Sequence, residues 1–466
     1  MGIKSFELEP TKENILDTIS RDMIDRNQSV WQFARFCDAQ EYRCSIALDA
    51  QWGYGKTFFV KQAKMVLEAF NPFTNAITDE EKARIKMAFS QYIGADDNAI
   101  DLQPQVCVYY DAWSNDNDVD PILSLVYEIV RDTACDYSFK KGRDCVKIAA
   151  SIIDFFTGKD AKEFIELMRG EDPLSELKSQ KDIHAIVEEF LDSLLCEQGN
   201  RLVVFIDELD RCKPSYAVQL LERIKHYFSN ERITFVFSVN VEELQHTIRR
   251  YYGEGFDASR YLDRFFDYRM ALPPANMTRY YQEIGLDNGS WVFERVCKAV
   301  ASYYSFGLRE TEKYYRTAKI AAYKPTHNKS FSGFSDGNGL TVGLLLFVPI
   351  IIGLRMVDTS LYYDFINGKN SKPLIEIVGD GDFASGICAM LLEQKETYDD
   401  ERHTNDQTVV SLQDKLAQAY DALFAKEDDH SWREINVGKC SFSKQTREII
   451  MHITSMLSEY TRYDEV

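Results

Sequence analysis

A glycine-rich turn between a predicted strand and a predicted helix is the part of the sequence most suited to chemistry. It reads Trp52-Gly53-Tyr54-Gly55-Lys56-Thr57. Glycines let backbone N–H groups approach phosphate oxygens, and a helix N-terminus adds positive potential. Lys56 at the helix start suits the β- and γ-phosphates, and the Thr57 hydroxyl suits Mg²⁺. The turn predicts a triphosphate-binding loop whose candidate contacts are Trp52, Gly53, Tyr54, Gly55, Lys56, Thr57 and Phe58.

Two adjacent carboxylates supply the second half of this chemistry. An apolar strand leads directly into Asp207-Glu208-Leu209-Asp210-Arg211. Asp207 at the strand tip would hold Mg²⁺ through water, and Glu208 would polarise the attacking water of phosphoanhydride hydrolysis. A strand that ends in a solvated acidic turn is the alternative, and the phosphate-loop pattern upstream argues against it.

Polar and basic residues after the next strand are weaker candidates. Asn240 at that strand's tip either orients water near the γ-phosphate or caps the following helix, and both roles are compatible. Arginines then cluster at positions 249, 250, 260, 264 and 269. Arg264 or Arg260 is the preferred arginine finger for a neighbouring subunit's nucleotide, with Arg211 as a further candidate. Solvated or ion-paired arginines are the alternative.

Five apolar segments alternate with helical patterns and predict the scaffold for these residues. The predicted strands are 43–49, 106–110, 201–206, 233–239 and 268–272. Continuous apolar strands separated by helices favour a mostly parallel sheet covered on both faces. Ligands of such sheets bind at the carboxyl ends of the strands, where Asp111, Asp207 and Asn240 fall. The expected fold class is therefore α/β.

Two helical regions are predicted outside this sheet. The distance from Lys56 to Asp207 far exceeds the roughly 60 residues that two βαβ units need, so about 132–200 is expected to be a helical insertion. Beyond the sheet, residues 276–466 are predicted to form a helical domain of unknown role. Their most apolar run, Leu340 to Leu354, contains Pro349 and is shorter than the roughly 20 residues that span a bilayer. We expect it in a buried core, with a membrane-touching segment as the alternative.

Composition narrows the class of protein. The net charge is −20 over 466 residues, so the surface as a whole does not suit nucleic acid. The ten cysteines form no CxxC pair, which indicates a reducing cytosol rather than a disulfide scaffold. The N-terminus carries no signal-peptide pattern. We therefore expect a cytoplasmic protein without a convincing nucleic-acid patch or membrane contact.

Together these motifs resemble those of the KAP family of P-loop NTPases, over residues 1–275. WGYGKT is similar to the family's WGxGKT/S, although the stricter pattern GxxxxGK[ST] has glycine where Ala50 stands. The segments Tyr110 to Trp113 and Ile206 to Cys212 resemble its aromatic-Asn-Ala-Trp and Walker B elements. We expect Trp113 to plug the core and Trp52 to pack on the sheet edge. Glu208 and Asn240 stand where the family usually has aspartate.

The resemblance implies a P-loop NTPase core with an extra strand between the Walker A and Walker B strands. It also implies ATP and Mg²⁺ as ligands, with Lys56 and Glu208 in hydrolysis. An ATPase switch with an unidentified protein partner is the preferred function. An AAA+-like oligomeric motor and a non-hydrolysing, nucleotide-stabilised scaffold are the alternatives, and a homo-oligomer is compatible with all three. Family analogy alone suggests a bacterial anti-phage role.

Overall fold

The computed structural model of the protein describes residues 9–92, 102–118, 120–136, 188, 191–192, 194–195, 198–286, 292–322, 337–379, 384–398, 408–424 and 434–456. The chain divides into two units, Glu7–Asn276 and, in the main, Met277–Val466. Most of the predicted insertion lies outside the described residues. Within them, position 132 belongs to a helix that starts at Pro121.

A five-stranded parallel sheet forms the centre of the first unit. Its strands are β1 Cys44–Asp49, β2 Gln105–Asp111, β3 Arg201–Asp207, β4 Ile233–Val239 and β5 Tyr268–Ala271. The order across the sheet is β2-β3-β4-β1-β5, and every pair is parallel. All five predicted strands are present, with ends shifted by at most one residue. The extra strand that was predicted between β1 and β3 in the order of the chain is β2. In the sheet itself, the strand that lies between β1 and β3 is β4.

Helices cover both faces of this sheet. They are α1 Lys12–Arg21, α2 Asn27–Asp38, α3 Lys56–Ala69, α4 Asp79–Phe89, α5 Pro121–Asp136, α6 Pro214–Tyr227, α7 Val241–Tyr252 and α8 Ala258–Leu262. Alternate residues of β1 to β4 enter two separate cores, so that Val204 of β3 lies in one and Phe205 in the other. Burial on both faces explains why β3 and β4 are apolar without alternation. The α/β fold class predicted from the sequence is confirmed.

The strand register places the polar strand ends at one edge. Asp111 of β2 lies opposite Asp207 of β3, and Asp207 lies opposite Ser238 of β4. Asp49 at the end of β1 lies opposite Val239. Because all strands run the same way, the residues that follow them meet at this carboxyl edge, as the sequence predicts.

The second unit is mainly helical among its described residues. Its helices are α9 Met277–Glu283, α10 Val292–Tyr303, α11 Leu308–Ala321, α12 Gly337–Val342, α13 Val348–Val357, α14 Thr359–Ile366, α15 Lys372–Val378, α16 Ser385–Cys388, α17 Leu412–Phe424 and α18 Lys444–Thr454. Two short strand pairs accompany them, β6 Glu396–Thr397 with β7 Thr408–Val409 and β8 Ile435–Val437 with β9 Cys440–Phe442.

The apolar run of this unit is one long helix. A π-helical turn, Gly343–Phe347, joins α12 to α13. Pro349 lies in the first turn of α13, and the helix continues through it. Residues Gly339–Val357 are long and apolar enough to cross a membrane by length and composition (19 residues, mean hydropathy 2.3), but 72% of that window is buried. The predicted burial is confirmed. The apolar helix is longer than the 15-residue run because α12 and α13 are continuous.

Candidate functional site

The loop between β1 and α3 has the backbone that a phosphate cradle requires. Gly53 and Gly55 both have φ of 84°, in the left-handed region that favours glycine. Gly55 is also the N-cap of α3. Lys56 is buried, and its Nζ donates to the carbonyl oxygens of Ala50 at 2.6 Å and Gln51 at 3.3 Å. The ammonium group is thus held against the loop that surrounds it.

Ala50 stands where the stricter phosphate-loop pattern has glycine. It is absent from the positive-φ residues of the described chain, and its N–H donates to the carbonyl oxygen of Val239 at 3.2 Å. Its backbone therefore continues the β1 pairing, and this position does not need glycine's conformational freedom.

Electrostatics around Lys56 join the loop to β3. Burial lowers the pKa of Lys56, whereas the nearby carboxylates of Asp210 and Asp207 raise it. The same burial raises the pKa of Asp210, opposed by a hydrogen bond from Trp52 and by the charge of Lys56. A cation and two carboxylates therefore share a partly desolvated space at the carboxyl edge.

Asp207 is fully buried at the end of β3 and is held by two hydrogen bonds. The Glu208 N–H donates to Oδ1 at 3.0 Å, and the Tyr109 hydroxyl donates to Oδ2 at 3.0 Å. Lys61 of α3 lies over the Tyr109 ring, with Nζ 4.5 Å from its centroid. These contacts fix the orientation of the carboxylate that the sequence assigns to Mg²⁺.

Glu208 follows in a left-handed conformation, with φ of 59°. This conformation is uncommon for a residue with a side chain and is found at functional sites. Its Oε1 forms an ion pair with Nη1 of Arg211 at 3.0 Å. Burial raises the pKa of Glu208, and Arg211 lowers it.

The two tryptophans near the carboxyl edge of the sheet, Trp52 and Trp113, are exposed to solvent. Trp113 is 50% exposed, so it is not the core plug that the sequence predicts. Trp52 is 47% exposed. Trp52 instead donates from Nε1 to Oδ2 of Asp210 at 2.6 Å. The Arg211 guanidinium carbon lies 5.8 Å from the Trp52 ring centroid and 5.5 Å from that of Trp113. The sequence could not show this, because the three residues come from three separate loops.

Asn240 caps α7, which was one of its two predicted roles. Its side-chain oxygen accepts from the N–H groups of Glu242 at 3.2 Å and Glu243 at 3.4 Å. The residue lies at the carboxyl edge after β4 and is buried. Its role in orienting water stays a prediction.

The remaining predicted residues are placed as follows. Thr57 is in the first turn of α3, directly after Lys56. The Phe58 side chain is buried in the core beneath α3. Arg264 is exposed in the segment before β5, where Asp267 N–H donates to the Ser45 carbonyl oxygen at the amino end of β1. Arg264 thus lies away from the phosphate loop of its own chain, and its role as a finger for a neighbouring subunit stays a prediction.

Sequence analysis missed a buried arginine beside the loop. Arg26 precedes α2 and is 1% exposed, and its Nη2 donates to the Tyr54 carbonyl oxygen at 3.1 Å. Its Nε and Nη1 are buried and have no hydrogen-bond partner among the residues that the structure describes. Burial lowers the pKa of Arg26 to about 10. Arg26 lies far along the chain from the glycine loop, so no local sequence pattern reveals this contact. The contact of Tyr109 with Asp207 is hidden from the sequence for the same reason.

Comparison with known proteins supports the motifs. A model of the KAP family P-loop domain matches residues 32–287. No curated protein sequence matches the chain. Among solved structures, the chain is similar to the ORC2 protein of Aeropyrum pernix (ADPNP–ADP complexes), with 12% identity, 87% of this chain and 92% of that chain covered, and a TM-score of 0.30. That similarity is too low to argue from, so the assignment depends on the family model.

The matched region contains the glycine loop, the carboxylates after β3 and Asn240. It spans more than half of the 466 residues, which confirms the resemblance seen in the motifs. The chain therefore belongs to the KAP family of P-loop NTPases, and this membership implies nucleotide binding.

Proposed function

We propose that the protein binds ATP with Mg²⁺, hydrolyses it and uses the cycle as a molecular switch. One observation carries the proposal. The fold brings a buried lysine on a glycine loop, a fully buried aspartate and an adjacent glutamate to one edge of the sheet. Phosphoanhydride hydrolysis requires these groups in proximity.

The residues fit a magnesium triphosphate. The left-handed glycines and the α3 N-terminus suit phosphate oxygens. Asp207 and Thr57 offer the hard oxygen donors that Mg²⁺ takes together with substrate phosphates. When bound, Mg²⁺ would neutralise charge on the β- and γ-phosphates.

The side chains of the protein would have separate roles in hydrolysis. Lys56 would neutralise charge that develops on the phosphates. Glu208 would accept a proton from the attacking water. Its fixed ion pair and backbone conformation place the carboxylate at the end of β3. The Tyr109 hydrogen bond would keep the Asp207 carboxylate in one orientation.

Contacts that link the phosphate loop to α7 through the turn after β3 support a switch. Trp52 of the loop is bonded to Asp210, and the Thr247 hydroxyl of α7 donates to the Asp210 carbonyl oxygen at 3.4 Å. A change in the loop can therefore reach α7 through one residue. An unidentified protein partner would read this change.

The test is steady-state ATP turnover by the purified chain beside Lys56→Met, Asp207→Asn and Glu208→Gln. Glu254→Gln, at an exposed carboxylate after α7, is the matched control. We expect turnover in the wild type and the control and a loss of at least about a hundredfold in the three site variants. Lys56→Met should also lose binding of Mg²⁺–ATP. Absence of nucleotide binding by the wild type would refute the proposal.

The alternatives predict different results. A non-hydrolysing scaffold would bind Mg²⁺–ATP without turnover. An oligomeric motor that uses Arg264 in trans would show turnover per chain that rises with protein concentration and falls in Arg264→Ala.

Two further proposals concern the biological role and the location of the protein. Anti-phage defence follows from family analogy, and plaque counts on bacteria that express the wild type or Lys56→Met would test it. Cytoplasmic location follows from cysteine usage, and cell fractionation would test it.

A further inference from the structure

Arg211 is enclosed by two tryptophans at the carboxyl edge. The guanidinium carbon lies 5.8 Å from the ring centroid of Trp52 and 5.5 Å from that of Trp113. Trp52 belongs to the phosphate loop and Trp113 follows β2, whereas Arg211 ends the short 3₁₀ helix Leu209–Arg211 after β3. We call this arrangement the Trp–Arg–Trp stack. Cation–π attraction favours it, and each indole leaves about half its surface in water.

Each member of the stack is anchored to β3 or to the loop that follows it. Trp52 donates to Asp210 at 2.6 Å. Ala112, next to Trp113, donates its N–H to the Asp207 carbonyl oxygen at 3.0 Å. The stack therefore ties together the ends of three separate segments around one guanidinium.

That guanidinium forms the ion pair with Glu208, at 3.0 Å between Nη1 and Oε1. Both side chains are mostly buried, with 25% and 19% exposure, so the pair is less screened than a surface pair. Glu208 also has a left-handed backbone, with φ of 59°.

We propose that Arg211 is a positioning residue, held between Trp52 and Trp113, which fixes the Glu208 carboxylate for its work on the attacking water. This inference depends on the proposed hydrolytic function. It makes Arg211 act through Glu208 rather than directly on the phosphates, and it gives the two exposed tryptophans a role in catalysis. Arg211 is then not an arginine finger for its own nucleotide.

Kinetics of paired variants test the proposal. We expect Arg211→Gln to lower kcat roughly ten- to a hundredfold with little change in the KM for ATP. Trp113→Ala should lower kcat about two- to fivefold, the loss of one cation–π contact, and Trp113→Phe should restore most of it. Arg211→Gln should cost nothing further in the Glu208→Gln background, because residues that act as a unit are not additive. Phe73→Ala and Arg232→Gln, a similarly exposed aromatic residue and a partly exposed, ion-paired arginine, are the controls.

The opposite pattern would overturn the proposal. A finger would lose further turnover when Arg211→Gln is added to Glu208→Gln, and Trp113→Ala would leave kcat unchanged.

A measurement without turnover separates this proposal from the proposed function. The test is acrylamide quenching of tryptophan emission. In each protein, the emission of the same protein with Trp113→Phe added is subtracted, which isolates the signal of Trp113 among the five tryptophans. We expect greater quenching in both Arg211→Gln and Glu208→Gln, because each loosens the stack. Equal quenching in all three proteins overturns the stack, whether or not the wild type hydrolyses ATP. A wild type without turnover refutes the hydrolytic function instead.

Discussion

Replacing Arg26 by methionine should make the nucleotide-free protein more stable and its nucleotide binding weaker. Arg26 is 1% exposed, and within the described part of the chain its guanidinium makes one hydrogen bond, to the Tyr54 carbonyl oxygen. Burial lowers its pKa to about 10, whereas an unburied arginine titrates at roughly 12.5 or above. A difference of about 2.5 pKa units costs about 3 kcal/mol in the folded state at neutral pH.

The lost hydrogen bond offsets part of this gain. A hydrogen bond to a charged group is worth about 1.5–3 kcal/mol. Methionine has a similar length, is apolar and fills irregular space. We therefore expect Arg26→Met to stabilise the protein by about 1 kcal/mol, a rise in Tm of roughly 2–4 °C for a unit of this size.

The sign of the pH dependence follows from the lowered pKa. Below about pH 10 both folded and unfolded chains carry the charge, so the folded wild type bears the full desolvation cost. Above that pH the folded chain releases the proton first, so wild-type stability rises relative to the variant. The advantage of Arg26→Met should therefore shrink above pH 10.

Differential scanning fluorimetry with and without Mg²⁺–ATP measures both effects. We expect a higher Tm without nucleotide and a smaller shift with it, because the variant lacks two donors beside the loop. Arg35→Met, at an exposed arginine of α2, the helix that Arg26 precedes, is the control and should change neither. A variant that is less stable than the wild type and binds nucleotide equally well would refute the reasoning.

Three further predictions concern single contacts. Tyr109→Phe should raise the Mg²⁺ concentration for half-maximal turnover about tenfold, because Asp207 loses a hydrogen bond that orients it. An unchanged Mg²⁺ titration would contradict this. Asn240→Ala should lower the free energy of unfolding, measured by urea denaturation, by about 1 kcal/mol, because the α7 cap is lost. An equal loss in Asn240→Asp would rule out capping as the cause. Gly353→Ala should destabilise the second unit by about 1–3 kcal/mol, because the added Cβ would meet a methyl group of Val300 at 2.5 Å. Gly386→Ala, where the added Cβ would meet no described atom within 4 Å, is the control and should not destabilise it.

The elements and the main candidate residues could be predicted from local patterns. Apolar runs of strand length end in Asp111, Asp207 and Asn240, and parallel strands bring such ends together wherever they lie in the chain. Glycines 53 and 55 reveal the phosphate loop because their backbone conformation is a property of the loop itself. The family model confirmed the resemblance that these motifs carry.

The sequence by itself determined the strands, the phosphate loop and the carboxylates, since each depends on residues that are neighbours in the chain. Only the tertiary structure placed β4 between β1 and β3 and brought Tyr109 to Asp207. It also showed that Trp113, expected in the core from the sequence, is exposed and lies over Arg211. Such contacts join segments far apart in sequence, and their geometry follows from sheet order and burial, which no local spacing records.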